Sequence, residues 1–227
     1  MPPLVDPVPS DQQLPNSTEV AIIGGGIIGV SAALTLAERG IPVALFEKGH
    51  IAGEQSSRNW GWCRQQGRDP RELPLIIESL ALWRKIHQRT RCDVGFRQCG
   101  ILYLANTSKD VADREAWLQH GLAYGVESRM VSSKEINELL PGSNAQWAGG
   151  LYTPTDGRAE PTIAAPAMAR AARQLGARIF TQTAVRGIET SGGRISGVIT
   201  ENGSVRCSTV ILAGGAWSST FCRSLDL

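Results

Sequence analysis

Residues 20–29, which read V-A-I-I-G-G-G-I-I-G, constrain the fold more than any other part of the sequence. The first four are an apolar run typical of a buried parallel strand, and the glycines at 24, 26 and 29 then form G-x-G-x-x-G. Residues 28–39 are rich in alanine and leucine, contain no proline and are followed by Gly40, which predicts a helix. A strand, a glycine turn and a helix in this order predict a dinucleotide-binding unit.

Each glycine of this turn has an expected role. Gly24 permits the tight turn, Gly26 lets the backbone approach a pyrophosphate, and Gly29 lets the helix pack closely on the strand. The helix then starts at Ile27 and Ile28, where free N–H groups and a partial positive charge would face the phosphates.

A second predicted strand, at residues 42–47, ends in an acidic residue. Glu47 follows the glycine turn at about the 20-residue distance at which such an acid accepts hydrogen bonds from ribose hydroxyls. A glycine-rich turn that binds no ligand would leave this acid at the strand end unexplained.

The charge balance excludes some classes of partner. The chain has 23 basic and 21 acidic residues and a net charge of +2, which creates no field that would attract nucleic acid or an anionic membrane. No apolar run approaches the length of about 18 residues that a transmembrane helix needs. Residues 1–18 contain several prolines and polar residues, and they predict a disordered N-terminal tail.

Cysteine and histidine usage bears on redox compartment and metal binding. The five cysteines are odd in number and form no C-x-x-C, which argues against a disulfide framework or a zinc site and suits a cytoplasmic protein. The three histidines are scattered without ligand spacing, so we predict no metal site.

The remaining sequence predicts an α/β fold with an antiparallel insertion. Helices are predicted at residues 72–88, at 111–124 with Ser108 as the cap, after the capping box Ser132–Glu135, and at 161–175. Strands are predicted at 99–104, 149–154, 178–182, 185–190, 195–200 and 205–212.

The end of the last predicted strand contains a second glycine break. Residues 209–212 are another apolar run, predicted to be buried, and they lead into A-G-G-A-W-S at 213–218. Such a break makes a second close approach of backbone to ligand plausible, and its alternative interpretation is an ordinary strand-to-helix turn.

Four segments in this order carry a resemblance to a known family. They are the opening turn with Glu47-Lys48, the loop S-S-R-N-W-G-W at 56–62, residues 149–161 with G-G-L-Y and D-G-R, and L-A-G-G-A-W-S at 212–218. The set resembles the D-amino-acid oxidase-type FAD oxidoreductases, which include glycine and sarcosine oxidases and D-amino-acid dehydrogenases. The resemblance covers residues 18–220 and implies an α/β fold: a Rossmann-like FAD-binding domain with a parallel sheet of the GR2 type and a β-meander, and part of an α+β substrate domain inserted.

The resemblance also implies which residues contact FAD. Besides the glycine turn, they are Glu47, Lys48, Ser56, Ser57, Arg58, Asn59, Gly61, Val185, Gly214, Gly215 and Trp217. The turn and Glu47 would hold the ADP half, and the loop from Ser56 would run past the pyrophosphate toward the flavin. The backbone of Val185 would meet the adenine, while the second glycine break would close over the dinucleotide. For Arg58 and Asn59 the alternative is a hydrogen-bonded brace of the loop.

The same resemblance implies a domain organisation. After the tail at 1–18, residues 19–75 and 151–227 would form the FAD-binding domain, and residues 76–150 part of a substrate domain. In the family, more substrate domain and a final flavin-contacting segment follow the second glycine break, whereas this sequence stops at Leu227. We therefore expect a fragment, or a chain whose C-terminal half is supplied by a partner subunit.

The implied reaction is oxidation of a small amine or amino acid, in which a hydride moves from the substrate Cα to flavin N5 and water hydrolyses the resulting imine. No residue is assigned as catalytic. Arg58, Arg64 and Arg68 lie where an arginine for a substrate carboxylate is expected, although each is more often a surface or loop arginine. Two alternatives stay open, an NAD(P)-dependent dehydrogenase and a non-catalytic truncated FAD-binding fragment or subunit.

Overall fold

The structure is a computed structural model that describes residues 3–143 and 145–225. The chain forms two compact units. Unit 1 comprises the residues up to Trp60, His87–Val94 and the residues from Glu160 onward, and unit 2 comprises Gly61–Ile86 and Gly95–Ala159. These bounds differ from the predicted domain limits near residues 75 and 150, because the segments on both sides of the insertion pair with each other inside unit 2.

The described part of the chain contains both helices and strands. The helices are α1 (Ile27–Glu38), α2 (Leu73–Arg84), α3 (Ile86–Thr90), α4 (Ser108–Ala123), α5 (Ser133–Leu139), α6 (Pro161–Gln174) and α7 (Ser218–Arg223). The strands are β1 (Val20–Ile23), β2 (Val43–Phe46), β3 (Trp62–Cys63), β4 (Ile101–Ala105), β5 (Arg129–Val131), β6 (Gly149–Thr153), β7 (Gly157–Arg158), β8 (Arg178–Phe180), β9 (Val185–Ser191), β10 (Arg194–Thr200), β11 (Gly203–Arg206) and β12 (Thr209–Leu212).

A four-stranded parallel sheet forms the centre of unit 1, in the order β12-β1-β2-β8. All residues of β1 and β2 are buried, as expected for inner strands of a parallel sheet, and α1 packs against β2 and α6. β12 is only partly buried and its Thr209 is exposed, so the prediction of a buried run at 209–212 was wrong in this respect. The reason is that, within the sheet described, β12 lies at an edge and pairs only with β1.

A three-stranded antiparallel meander, β11-β10-β9, completes unit 1. The strand predicted at 205–212 is divided at Cys207 and Ser208 into β11, which pairs antiparallel with β10, and β12, which pairs parallel with β1. The two halves belong to different sheets, and the chain must change direction between them. An apolar cluster that includes Phe46, Phe180 and Val198 fills the core here, and the two phenylalanine rings stack at 5.3 Å.

The N-terminal segment differs from the disordered tail predicted for residues 1–18. Within the part that the structure describes, the Asp6 N–H donates to Thr162 O at 3.1 Å and the Asp11 N–H donates to Ile179 O at 2.8 Å. The Asp11 carboxylate also accepts from the Ile179 N–H at 2.8 Å and pairs with Arg173 at 3.1 Å. Composition did not reveal these partners, because they lie more than a hundred residues away along the chain.

Unit 2 contains an antiparallel sheet, β4-β6-β5, and the two-stranded pair β3-β7. The sequence did not predict β3 or β5. The helix predicted at 72–88 is interrupted, since α2 ends at Arg84 and α3 starts at Ile86, although the apolar spacing continues across the break. The capping box at Ser132 and Glu135 is present as predicted. Over the two described stretches of chain, no helix combines the length and apolar character needed to cross a membrane.

Candidate dinucleotide-binding site

The turn between β1 and α1 requires glycine at two positions for reasons of packing. Gly24 has φ +113°, and a Cβ built there would lie 2.4 Å from Ala213 O. A Cβ at Gly29 would lie 1.9 Å from Gly24 O and 3.4 Å from the Ile22 side chain. A side chain at either position would therefore collide with backbone, and these glycines allow the close turn and helix packing that the sequence predicted.

Gly26 is different, because only one heavy atom, the hydroxyl oxygen of a side chain, lies within 4 Å of a Cβ built there. Its backbone has φ −74° and ψ 178°, which any residue adopts, and the nearest atom to a Cβ there would be Ser56 Oγ at 3.1 Å. Gly26 is the N-cap of α1 and provides no side-chain cap, while the Ile27 N–H donates to Ser56 Oγ at 2.8 Å. First-turn N–H groups of a helix have no partner within it, so this end of α1 is suited to an anion.

A cavity of about 210 Å³ opens beside Gly26 in unit 1. It lies at the carboxyl ends of β1, β2 and β12, and the start of β9 forms a further part of its wall. β1 has β2 on one side and β12 on the other, so the connections diverge at this point of the sheet. Ligands of open parallel sheets bind in such a crevice.

Glu47 is fixed in one wall of the cavity by hydrogen bonds to backbone. Its side chain accepts from the Gly25 N–H through Oε2 and from the Gly49 N–H through Oε1, both at 2.7 Å. Its own N–H donates to Phe180 O at 2.8 Å, and the Thr183 N–H donates to Glu47 O at 2.9 Å. Because a carboxylate offers about four acceptor positions, Glu47 retains capacity for the hydroxyls of a ligand.

Lys48 and Trp217 lie in the cavity wall on either side of β1. The Lys48 Nζ lies 4.0 Å from the centroid of the Trp217 ring and 3.3 Å from the Glu54 carboxylate. Gly214 and Gly215 follow β12 and lead into Trp217, and Val185 at the start of β9 lines the same space.

The loop after residue 55 is braced by its own hydrogen bonds. Ser57 is buried and its Oγ donates to Glu54 O at 3.2 Å, while Arg58 forms an ion pair with Glu54 at 3.1 Å. The Asn59 Nδ2 donates to Ser56 O at 2.9 Å. These contacts correspond to the alternative interpretation of Arg58 and Asn59 as a brace of the loop. Gly61 belongs to unit 2, where its carbonyl accepts from the Ala159 N–H at 2.8 Å.

The structure therefore brings together part of the predicted set. The predicted residues that line the cavity are Gly24, Gly26, Glu47, Lys48, Ser56, Val185, Gly214, Gly215 and Trp217. The predicted residues outside its lining are Ile27, Ile28, Gly29, Ser57, Arg58, Asn59 and Gly61. Lining residues that sequence reasoning missed include His50, Ala52, Gly53, Gln55, Ala184 and Arg186. The only feature of the sequence that could have identified these residues is their position, either soon after the second strand or next to Val185.

The arginines considered for a substrate carboxylate have partners within their own units. Arg58 pairs with Glu54, and Arg68 lies 3.9 Å from Glu72. The Arg64 guanidinium lies over the Tyr103 ring at 5.6 Å. These contacts give no basis for assigning any of the three arginines as catalytic.

Unit 2 contains a buried carboxylate in the segment that carried the resemblance. Asp156 accepts from the Gln65 N–H at 2.8 Å and from the Gln66 N–H at 3.0 Å, which ties two distant loops together. Burial raises the pKa of Asp156, although the backbone hydrogen bonds from Gln65 and Gln66 oppose the shift. Burial and the nearby Asp156 also raise the pKa of the Cys63 thiol to about 12, so Cys63 stays protonated at neutral pH.

Comparison with known proteins agrees with this geometry. The model of the family described as FAD dependent oxidoreductase matches residues 19–227. Glycine oxidase from Geobacillus kaustophilus is 31% identical over 210 residues, which cover 88% of this chain and 55% of that protein. Sarcosine oxidase subunit beta from Arthrobacter sp is 31% identical over 211 residues, covering 89% of this chain and 52% of the relative.

A solved structure gives the same result. L-amino acid deaminase from Proteus myxofaciens, in complex with anthranilate, superimposes with a TM-score of 0.93 at 34% identity, over 99% of this chain and 51% of that one. The chain thus spans about half the length of these relatives. The predicted Rossmann-like fold and the predicted family are confirmed, and the match favours FAD over a nicotinamide cofactor. The chain belongs to the FAD dependent oxidoreductase family, and its cofactor is FAD.

Proposed function

We propose that this chain provides the cofactor-binding part of an FAD-dependent enzyme that oxidises an amine or amino acid. The observation that carries the proposal is the cavity at the carboxyl ends of β12, β1 and β2, which is lined by Gly26, without a side chain, and by the fixed carboxylate of Glu47. The relatives named glycine oxidase, sarcosine oxidase subunit beta and L-amino acid deaminase support the substrate class.

In this proposal different residues of the cavity contact different parts of the cofactor. Gly26 and the first turn of α1 face the pyrophosphate, because the helix start offers N–H donors and Gly26 itself carries no side chain. Glu47 accepts hydrogen bonds from the ribose hydroxyls, and the backbone at Val185 lies against the adenine. Gly214 and Gly215 allow the second turn to approach the dinucleotide closely.

When bound, FAD supplies the redox chemistry by accepting a hydride from the carbon that carries the amine, and water then hydrolyses the imine product. The residues of unit 1 fix the cofactor in one position, which is what hydride transfer over about 3–3.5 Å requires. We assign unit 1 to FAD binding and unit 2 to part of the substrate domain.

A partner subunit is a further part of the proposal. The similarity to sarcosine oxidase subunit beta, named as one subunit of an enzyme, supports it. We also propose a cytoplasmic location, because all five cysteines are free.

Two measurements test the proposal. Titration of the purified chain with FAD, followed by flavin fluorescence, is expected to show one FAD per chain, and absence of binding would overturn the assignment of the cavity. The FAD-loaded protein is then mixed without oxygen with glycine, sarcosine and the D- and L-forms of alanine and proline. Bleaching of the flavin absorbance by at least one of them is expected. If the chain binds FAD tightly but no amine bleaches the flavin, whether the chain is tested alone or together with a partner subunit, the result would instead favour a non-catalytic FAD-binding subunit.

A further inference from the structure

The contact between Lys48 and Trp217 joins two parts of the cavity wall. Lys48 follows β2 and Trp217 follows β12, and β1 lies between these two strands. Since neighbouring strands are about 4.8 Å apart, the two side chains together bridge a gap of roughly 10 Å between the outer strands. The contact therefore passes over the carboxyl end of β1, where the glycine turn begins.

The geometry of this contact is that of a cation–π pair. The ammonium lies 4.0 Å from the ring centroid, well inside the limit of about 6 Å for such pairs. Neither side chain is locked in a core, since the Lys48 side chain is 47% exposed and Trp217 is 43% exposed. The Glu54 carboxylate pairs with the same ammonium at 3.3 Å. A half-exposed contact of this kind can open and close without disturbing the sheet.

We propose that Lys48 and Trp217 form a clasp that closes over bound FAD and slows its release. The inference rests on the proposed function, because it requires the cavity to hold the dinucleotide. The pyrophosphate would lie beside the turn at Gly26, and its negative charge adds a second attraction for the Lys48 ammonium. Trp217 keeps that ammonium over the cavity, and the closed pair obstructs the path by which the cofactor leaves.

The test measures cofactor release rather than catalysis. FAD-loaded protein is diluted rapidly, and the change in flavin fluorescence gives the release rate for the wild type, Lys48→Met, Trp217→Leu and the double variant. Loss of an exposed cation–π contact predicts that Trp217→Leu releases FAD about two to five times faster. Lys48→Met is expected to accelerate release at least as much. The double variant should accelerate it by less than the product of the single effects, because each residue acts through the other.

Matched variants separate the clasp from general damage. Lys48→Arg keeps a cation and Trp217→Phe keeps a ring, so both should release FAD at close to the wild-type rate. Lys109→Met removes an exposed charge that pairs with Asp113 in α4 and should have no effect. The thermal midpoint of each apoprotein shows whether a variant is folded.

The outcomes distinguish this inference from the proposed function. If the wild type binds no FAD, the assignment of the cavity fails and the clasp fails with it. If FAD binds and both Lys48→Met and Trp217→Leu release it at the wild-type rate, the clasp is refuted while the cavity assignment stands. A double variant whose effect equals the product of the single effects also refutes the clasp, because the two residues would then act independently.

Discussion

At the residue scale, Gly26 and Gly29 have different neighbours despite belonging to one motif. A Cβ at Gly26 would contact only the Ser56 hydroxyl among its near neighbours, whereas one at Gly29 would lie 1.9 Å from a backbone oxygen. We expect Gly26→Val to lose FAD binding, because its side chain occupies the place of the pyrophosphate, and to lose less stability than Gly29→Val, because its Cβ meets only the Ser56 hydroxyl, at 3.1 Å. In Gly29→Val the free energy of unfolding should fall by at least about 1–3 kcal/mol. Thermal unfolding and FAD titration check the pair, and full FAD retention by Gly26→Val would contradict the site.

Glu47 is the second residue at which binding can be tested. In Glu47→Gln one carboxylate oxygen becomes an N–H₂ group, which faces the N–H of Gly25 or Gly49 and leaves that donor unpaired. FAD affinity should fall about ten- to a hundredfold, as for a lost hydrogen bond to a charged group, and further in Glu47→Ala. Equilibrium titration gives the dissociation constants, with the exposed Glu115→Gln as the control. Unchanged constants in both Glu47 variants would mean that this acid does not contact the cofactor.

At the scale of elements, the N-terminus of α4 shows how a cap is decided by geometry. The sequence predicted Ser108 as the cap, but Thr107 holds that position: its Oγ1 accepts from the Asp110 N–H at 3.1 Å, and the Asp110 carboxylate accepts from the Thr107 N–H at 2.9 Å. Thr107→Ala should therefore lower the unfolding free energy by about 1 kcal/mol, and Ser108→Ala should change it little. Urea unfolding measures both, and equal losses in the two variants would contradict the observed cap.

Two strands near the candidate site, β11 and β12, also differ from the sequence prediction. β11 and β12 are separated by two residues, yet one joins the meander and the other joins the parallel sheet beside β1. β11 reads G-S-V-R and β12 reads T-V-I-L, and no glycine or proline stands between them, so the pattern predicted one strand where two exist. This division places residues 213–217 beside the turn at Gly24, because the Ala213 N–H donates to Ile23 O at 2.8 Å.

At the scale of the molecule, the N-terminal segment is held to unit 1 by Asp11, which gives stability a dependence on pH. Burial raises the pKa of Asp11, but the Ile179 N–H and the guanidinium groups of Arg173 and Arg178 outweigh it, so the pKa is lowered overall. A lowered pKa in the folded state stabilises the protein above the unfolded value of about 3.9 and loses this effect as the pH falls through the folded pKa.

Asp11→Asn is therefore expected to unfold more easily than the wild type at pH 7, with a difference that shrinks as the pH falls below about 4. Urea unfolding across this range measures the difference. Asp113→Asn, whose carboxylate pairs with Lys109 on the exposed surface of α4, should show a small difference throughout. A difference for Asp11→Asn that does not change with pH would show that the charge on Asp11 has no part in holding the segment.

The sequence by itself determined the first strand, the glycine turn, the helix that follows and the acid at the end of the second strand. These depend on local rules: apolar runs, the absence of a side chain where the backbone turns, and the fixed spacing of a βαβ unit. The resemblance added the second glycine break and the loop at 56–61, and of these the structure places Ser56, Gly214, Gly215 and Trp217 in the cavity wall.

Only the tertiary structure decided which of these residues meet. The hydrogen bond from the Ile27 N–H to Ser56 Oγ, the contact of Lys48 with Trp217 and the anchoring of Asp11 at Ile179 join segments far apart in the chain. Such contacts depend on how strands are ordered in a sheet, and the order β12-β1-β2-β8 is not encoded in any local pattern. The physical reason is that periodicity and turn chemistry act over a few residues, whereas sheet order is set by the burial of whole elements against each other.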